Sequence, residues 1–320
     1  MSNWLLEVEN LGVGLERPGG VTPLVDGVGF QLAPGDSLCL VGESGCGKSI
    51  TALALAGLLL PPLRFSGGSI LFRGLNVVTA GERELRKIRG AGISYIFQDP
   101  GAALNPVLTI GTQIRESLKL HRPEACNDAE IIRLLRLVQI SDPEHRLRAY
   151  PHELSGGMQQ RVMIAMAIAP KPALLVADEP TTALDVTVQA QILTLLAELK
   201  RELGMALILI THNLPIARGI TNRMHVMYAG QWVETGATAD ILDRPKHPYT
   251  RALLRSTPEF GTTKERLESI PGTVPSPGNW PAGCRFADRC SIVLAECRTR
   301  QPALESRGES RTVRCPYPGE

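Results

Sequence analysis

No stretch of this 320-residue chain stays apolar for long enough to cross a bilayer. The longest candidate, TALALAGLLLPPL from Thr51 to Leu63, falls short of the roughly 20 residues a spanning helix needs and runs into two prolines. The N-terminus, MSNWLLEVEN, carries acidic residues where a secretory leader would have a basic end followed by an apolar run. The chain therefore reads as cytosolic, a setting in which disulfides are rare. Charge of one sign is lacking too: Lys+Arg 34 against Asp+Glu 32 leaves a net charge of +2. That balance gives no electrostatic reason to expect nucleic acid or an anionic membrane as the main partner. No internal repeat or low-complexity tract stands out.

What is present is an ordinary globular composition, 43% hydrophobic and 21% charged, which excludes a disordered or fibrous chain. The length suits one large domain with an appendage, or two modest domains. Short apolar runs, SLCLVG (37–42), ISYIFQ (93–98), ALLVAD (173–178) and ALILIT (206–211), alternate with helical patterns. Such runs fit strands buried on both faces, so the class is α/β, with a largely parallel sheet covered on both sides. Between about residues 100 and 165 the pattern becomes helical. AEIIRLLRLVQI (129–140) puts Ile131, Leu134, Leu135 and Val138 on one face, and Asn127 with Glu130 resembles a capping box. After about residue 245 proline, glycine and cysteine become frequent, as in ESIPGTVPSPGNWPAGC (268–284), and a loop-rich second part is expected.

Three segments carry chemistry. SLCLVG runs into GESGCGKS, residues Gly42, Glu43, Ser44, Gly45, Cys46, Gly47, Lys48 and Ser49, and then into an apolar helix through Thr51. A glycine-rich turn between strand and helix aims backbone amides at phosphate oxygens, with Lys48 reaching the β- and γ-phosphates and Ser49 ligating Mg²⁺. ALLVADEP ends a buried strand in Asp178, suited to the Mg²⁺ shell, followed by Glu179, placed to deprotonate a water that attacks the γ-phosphate. In LSGGMQQR, Ser155 caps a helix while Gly156 and Gly157 leave its first amides uncovered.

In this order the motifs resemble the ATP-binding cassette (ABC) ATPases. The resemblance implies a P-loop NTPase-type cassette over residues 1–245, with an N-terminal antiparallel β part and a helical subdomain at about 100–165. It implies ATP as substrate and two cassettes that sandwich two nucleotides, the LSGG segment of one closing on the γ-phosphate held by the other. By position, Gln98 in IFQDP links the Mg²⁺ site to the transmembrane partner, Asp185 in TTALD contacts the opposite subunit, and His212 in LITHN contacts the γ-phosphate. Two positions depart from the family: Leu15 stands where an aromatic residue usually stacks on adenine, and Asn213 where an acidic residue usually follows the histidine.

FQDPGAALNPVLTIGTQI (97–114), TTALDVTVQAQIL (181–193) and HPYTRALL (247–254) narrow the resemblance to the ATPase subunits of dipeptide, oligopeptide and nickel importers. In that group a second, related ATPase often completes the pair, two membrane permease subunits form the pore, and an extracytoplasmic solute-binding protein delivers cargo. The expected location is the cytoplasmic face of the inner membrane, as a peripheral subunit. Residues 246–320 resemble the group's C-terminal extension.

Cys284, Cys290, Cys297 and Cys315 follow the spacing C-x5-C-x6-C-x17-C. In a reducing cytosol, four clustered thiols in a loop-rich segment point to a metal centre more readily than to disulfides. Structural zinc normally uses a tight C-x2–4-C pair, absent here, whereas iron-sulfur clusters accept varied intervals. The importer group's tail is associated with a [4Fe-4S] cluster. That cluster is the expectation, with zinc, or thiols that are only small buried side chains or a redox pair, as the other readings.

Two other function classes fit an ABC ATPase. A soluble cassette acting on ribosomes or DNA would have two cassettes with front-end cysteines, or a long coiled-coil split, neither of which is seen. A catalytically silent regulatory cassette is opposed by intact Lys48, Asp178, Glu179 and His212.

Overall fold

Apolar residues on two facing strands start the chain. β1 (Leu6–Arg17) and β2 (Gly20–Leu32) pair antiparallel, with Leu6 opposite Leu32 and Val8 opposite Phe30. Leu6, Val8, Leu11, Val13, Val28 and Leu32 are all buried, giving the pair one apolar face. β3 (Ser37–Val41) is buried at every position and leads into α1 (Lys48–Leu55). β4 (Leu63–Phe72) returns along the free side of β1, and β5 (Leu75–Asn76) completes an antiparallel sheet in the order β2-β1-β4-β5. The computed structural model describes residues 3–182, 184–257, 269–308 and 310–319; Ala183 of the TTALD motif and Glu268, which opens the proline-rich stretch, lie outside them. The chain falls into two units, one formed by Met1–Ala80 with Leu209–Glu320, the other by Gly81–Ile208.

The second unit contains α2 (Glu82–Ile88), β6 (Ile93–Ile96), α3 (Pro100–Ala103), α4 (Ile110–His121), α5 (Asp128–Leu137), α6 (Pro143–Arg146), α7 (Gly156–Ile168), β7 (Leu174–Asp178) and α8 (Val186–Leu203). β6 and β7 run parallel, with Ile93 opposite Leu174 and Ile96 opposite Ala177. The expected helical face of α5 is observed, since Ile131, Leu134, Leu135 and Val138 are all buried. Only half of the capping box forms. The Asn127 side chain accepts the Glu130 N–H at 3.0 Å, but the Glu130 carboxylate turns to Arg122 and Arg133 instead of back to the cap. Two guanidinium groups outcompete a single neutral amide for a carboxylate.

β8 (Ala206–Thr211) leads out of the second unit, and the chain resumes the first with β9 (Arg223–Tyr228), parallel to β3, and β10 (Gln231–Ala237), antiparallel to β9. The strand pairing of the first unit is thus mixed, parallel between β3 and β9 and antiparallel between β9 and β10. After α9 (Thr238–Asp243) and α10 (Pro248–Ser256), the described chain holds only α11 (Ala295–Thr299), β11 (Glu305–Ser306), β12 (Thr312–Val313) and one 3₁₀ turn as regular structure. β12 pairs antiparallel with β10, Val313 opposite Glu234.

Arginines fasten this extension to the rest of its unit. Arg285 donates to the Ala229 carbonyl and to Asp26, and stacks on Trp280 with 3.5 Å from guanidinium carbon to ring centroid. Arg314 donates to the carbonyls of Trp232 (2.9 Å) and Pro302 (3.1 Å). Arg311 pairs with Glu234, a fully buried carboxylate that also accepts the backbone N–H groups of Lys246 and His247 at 2.9 Å each.

Candidate nucleotide site

The glycine-rich loop follows β3 and opens α1, as the sequence requires. Gly42 has φ 153°, and a Cβ there would meet the Met227 carbonyl oxygen at 2.3 Å, so only glycine lets the strand turn into the loop. Gly47, at φ 112°, starts α1 in a conformation that L side chains rarely adopt. The Lys48 ammonium is buried and donates to the carbonyls of Gly42 (2.7 Å) and Glu43 (2.9 Å), which hold it over the loop. Ser44, Gly45 and Ser49 are exposed, so the mouth of the loop and the first turn of α1 face solvent. The Thr51 hydroxyl donates to the Gly47 carbonyl at 2.9 Å, bracing the helix start. Cys46 is buried, and burial raises its thiol pKa while the Lys48 charge works to lower it. Glu43 turns away from the loop mouth: its N–H donates to the Tyr249 hydroxyl at 2.8 Å and its carboxylate pairs with Arg289. Leu15 lies on β1 opposite Thr22 and Leu63. His212 follows β8 and is exposed, while the Asn213 N–H donates to Thr211 at 3.0 Å.

The second unit carries the remaining candidates. Gln98 is exposed just past β6. Asp178 ends β7, and Glu179 adopts φ 47°, a left-handed conformation costly for a residue with a side chain and often found at functional sites. The Glu179 carboxylate accepts the Thr182 hydroxyl at 3.1 Å. Tyr95, on the neighbouring strand, has its phenol pKa raised well above the usual value by burial and then by the Asp178 charge.

Two helix starts are built alike. Ser155 caps α7, accepting the Met158 N–H at 3.4 Å, and Gln159 braces the turn by donating to the Pro151 (2.8 Å) and Leu154 (3.3 Å) carbonyls. Asp185 caps α8, accepting the Val188 N–H at 2.9 Å, and Gln189 donates to Thr181 (3.1 Å) and Leu184 (3.0 Å). The two meet: a Cβ on Gly157 would lie 2.9 Å from Val188, and one on Gly156 3.7 Å from Leu184. Ser155, Gly156, Asp185 and Val186 are nonetheless exposed.

The cysteine expectation is corrected. Cys284, Cys290, Cys297 and Cys315 do line one cavity, together with His247, Phe286 and Tyr317. Among the described residues, however, no group of three or more His, Cys, Asp or Glu side chains is placed to hold a metal ion, which overturns the iron-sulfur cluster and its zinc alternative. The physical reason is placement: a metal ion needs at least three ligands aimed at one point, and these four are spread round a cavity whose wall also includes Phe286, Ile292 and Pro316. Burial raises the pKa of Cys284 and Cys290 and pushes Cys315 up to about 11. All seven cysteines are free thiols; of the four in the tail Cys297 is buried and Cys284, Cys290 and Cys315 are half-buried.

Sequence reasoning missed Tyr249 and Arg289. HPYT at the start of α10 was the available signal for Tyr249; Arg289 gave none, since its partner lies 246 residues away.

The chain is similar to known proteins over nearly its whole length. Residues 25–182 match the family described as ABC transporter, and residues 233–297 the one described as oligopeptide/dipeptide transporter, C-terminal region. A putative peptide import ATP-binding protein of Brucella abortus is 50% identical over 98% of this chain and 94% of its own. The dipeptide transport ATP-binding proteins DppD of Haemophilus influenzae (49%) and Escherichia coli (46%) each match 98% of this chain, and 96% and 97% of their own. Among solved structures, a dimeric ATP-binding cassette in a post-hydrolysis state bound to ADP and Pi gives a TM-score of 0.63 at 26% identity, over 73% of this chain and 98% of that one. CbiO1 of Clostridium perfringens gives 0.63 at 26%, over 76% and 92%. With phosphate loop, LSGG corner and Asp-Glu strand end each set in its proper fold context, this chain belongs to the ABC transporter ATPases, in their dipeptide/oligopeptide importer family.

Proposed function

We propose that this chain is the ATP-hydrolysing subunit of a peptide importer, bound peripherally at the cytoplasmic face of the membrane. The single observation that carries the reading is the Gly42–Ser49 loop: buried Lys48 held over it, a tight turn at Gly42 where a Cβ would strike the Met227 carbonyl, and an open first helical turn at Ser49. These features fit a triphosphate with Mg²⁺. Ser49, Gln98 and Asp178 are the residues that would hold the ion, which supplies charge neutralisation at the phosphates. Lys48 binds the β- and γ-phosphates, His212 contacts the γ-phosphate, and Glu179, oriented by Thr182, takes a proton from the attacking water. No described helix is long and apolar enough to cross a membrane, so permease subunits would form the pore and a solute-binding protein would deliver the peptide. The exposed Ser155–Gly156 corner and Asp185 cap, with Val186 at 60% exposure, support a second ATPase closing on this face. No observation favours a ribosome- or DNA-directed role, or a silent cassette.

The test is ATPase activity of the chain assembled with its permeases in vesicles, with labelled dipeptide uptake read in parallel. Glu179→Gln lowers turnover by about a hundredfold or more while ATP stays bound. Hydrolysis at the parental rate in that variant removes Glu179 as the base, and uptake independent of ATP removes the importer reading.

A further inference from the structure

The second residue of the phosphate loop is a carboxylate, a poor neighbour for a triphosphate. In the folded protein that charge is answered from the C-terminal extension. Arg289 forks Glu43 with two parallel bonds of 2.8 Å, Nη1 to Oε2 and Nη2 to Oε1. The guanidinium side chain is 5% exposed and is itself fixed: Nε donates to the Pro271 carbonyl at 2.7 Å, and Nη1 also reaches the Tyr228 hydroxyl at 3.3 Å. Tyr249, at the start of α10, accepts the Glu43 N–H at 2.8 Å. Glu43 is thus held at its backbone by one residue of the C-terminal part and at its side chain by another. The guanidinium is held firmly charged: burial works to lower its pKa, and the hydrogen bonds to Glu43 and Tyr228 outweigh that.

We propose that Arg289 is a positioning residue for the phosphate loop: by neutralising Glu43 it sets how tightly the loop takes a nucleoside triphosphate, so the C-terminal extension tunes nucleotide affinity. The inference rests on the loop being the triphosphate site. Without Arg289, an uncompensated carboxylate sits at the second position of the loop, and at effective dielectrics between protein and water one such charge near the polyanion weakens binding on the order of tenfold.

The experiment titrates the full chain with a fluorescent trinitrophenyl-ATP and Mg²⁺, with the thermal midpoint of each variant checking that it folds. Arg289→Gln raises Kd about tenfold, and adding Glu43→Gln to it restores Kd to within about twofold, because the uncompensated charge is gone. Glu43→Gln alone leaves the guanidinium unopposed and tightens binding severalfold; this arm stands even if Arg289→Gln does not fold. Arg298→Gln, which breaks an exposed pair with Asp288 (2.8 Å) in the same extension, leaves Kd unchanged. An unchanged Kd in Arg289→Gln, a double variant as weak as the single, or a Glu43→Gln chain that binds no tighter than wild type overturns the proposal. The loop reading fails separately: a wild-type chain that binds no nucleotide, or a Lys48→Ala chain that binds as well as wild type, removes it and the proposal together.

Discussion

The strands at the centre of the first unit and the extension fastened to its edge are held by different forces. Leu38, Leu40, Val41, Met224 and Val226 on β3 and β9 are completely buried, and their burial is non-directional. Among its described residues the extension buries few large apolar groups and depends on guanidinium groups aimed at carboxylates and carbonyls, at Arg285, Arg289, Arg311 and Arg314. A core of the first kind is graded, yielding stability in proportion to the volume removed. An attachment of the second kind is brittle where the partner is buried, as Glu234 is, since removing Arg311 strands that charge away from water.

The sharpest way to break that contrast is at Glu234. Arg311→Leu leaves a carboxylate of 0% exposure unpaired and costs about 3–5 kcal/mol of unfolding free energy, read as a lowered urea midpoint. Arg311→Met with Glu234→Leu removes both charges and returns most of that loss; a double variant no better than the single one contradicts the brittle description. In the core, Leu40→Ala costs about 2–5 kcal/mol, and Leu40→Met less than about 1.5 kcal/mol, the graded response expected of close packing. Equal losses for the two would show that the core is as brittle as the edge.

Acid sharpens the comparison from both sides. His225 on β9, edge-on to Phe30 and Trp232, has its pKa lowered from 6.5 to about 3, by burial first and then by Arg223. His247, at the junction with the extension, is also lowered to about 3 by burial, with Arg314 and Arg251 adding repulsion. The fold holds both rings neutral while the unfolded chain protonates them, so stability falls as pH drops from about 6.5 towards 3. Replacing either residue with Phe flattens that part of the pH profile, and an unchanged slope shows that the ring is not held neutral. The smallest effect serves as a control in the second unit: Asn127→Ala removes the α5 cap and costs about 1 kcal/mol, with no dependence on the state of the extension.

The sequence carried the local setting of the cassette's motifs well because its signals are local. GESGCGKS sits between a buried strand and a helix, and the structure places β3 and α1 on either side of it. Ser155 declares itself as a cap through residue type, and it does cap a helix; Asp185, expected only as a contact to the opposite subunit, caps one as well. The extension was legible only in outline. Cysteine spacing fits a ligand set and a cluster of buried thiols equally well, since interval says nothing about which atoms face the space between them. Its arginines look like solvated charges until the fold brings Glu43, Asp26 and Glu234 to meet them, a pairing set by three-dimensional proximity. Glu130 misled in the same way on a smaller scale, its local role lost to Arg122 and Arg133.

β12 covers the middle of the open side of β10, where the Thr235 and Thr312 hydroxyls meet at 2.7 Å across 77 residues of sequence. During synthesis, β10 therefore leaves the ribosome with one row of amides and carbonyls unmatched, and it waits for a segment 77 residues further along to cover part of them. A chain that lacks β12 keeps that flank open to wrong strand pairing even when everything upstream has folded.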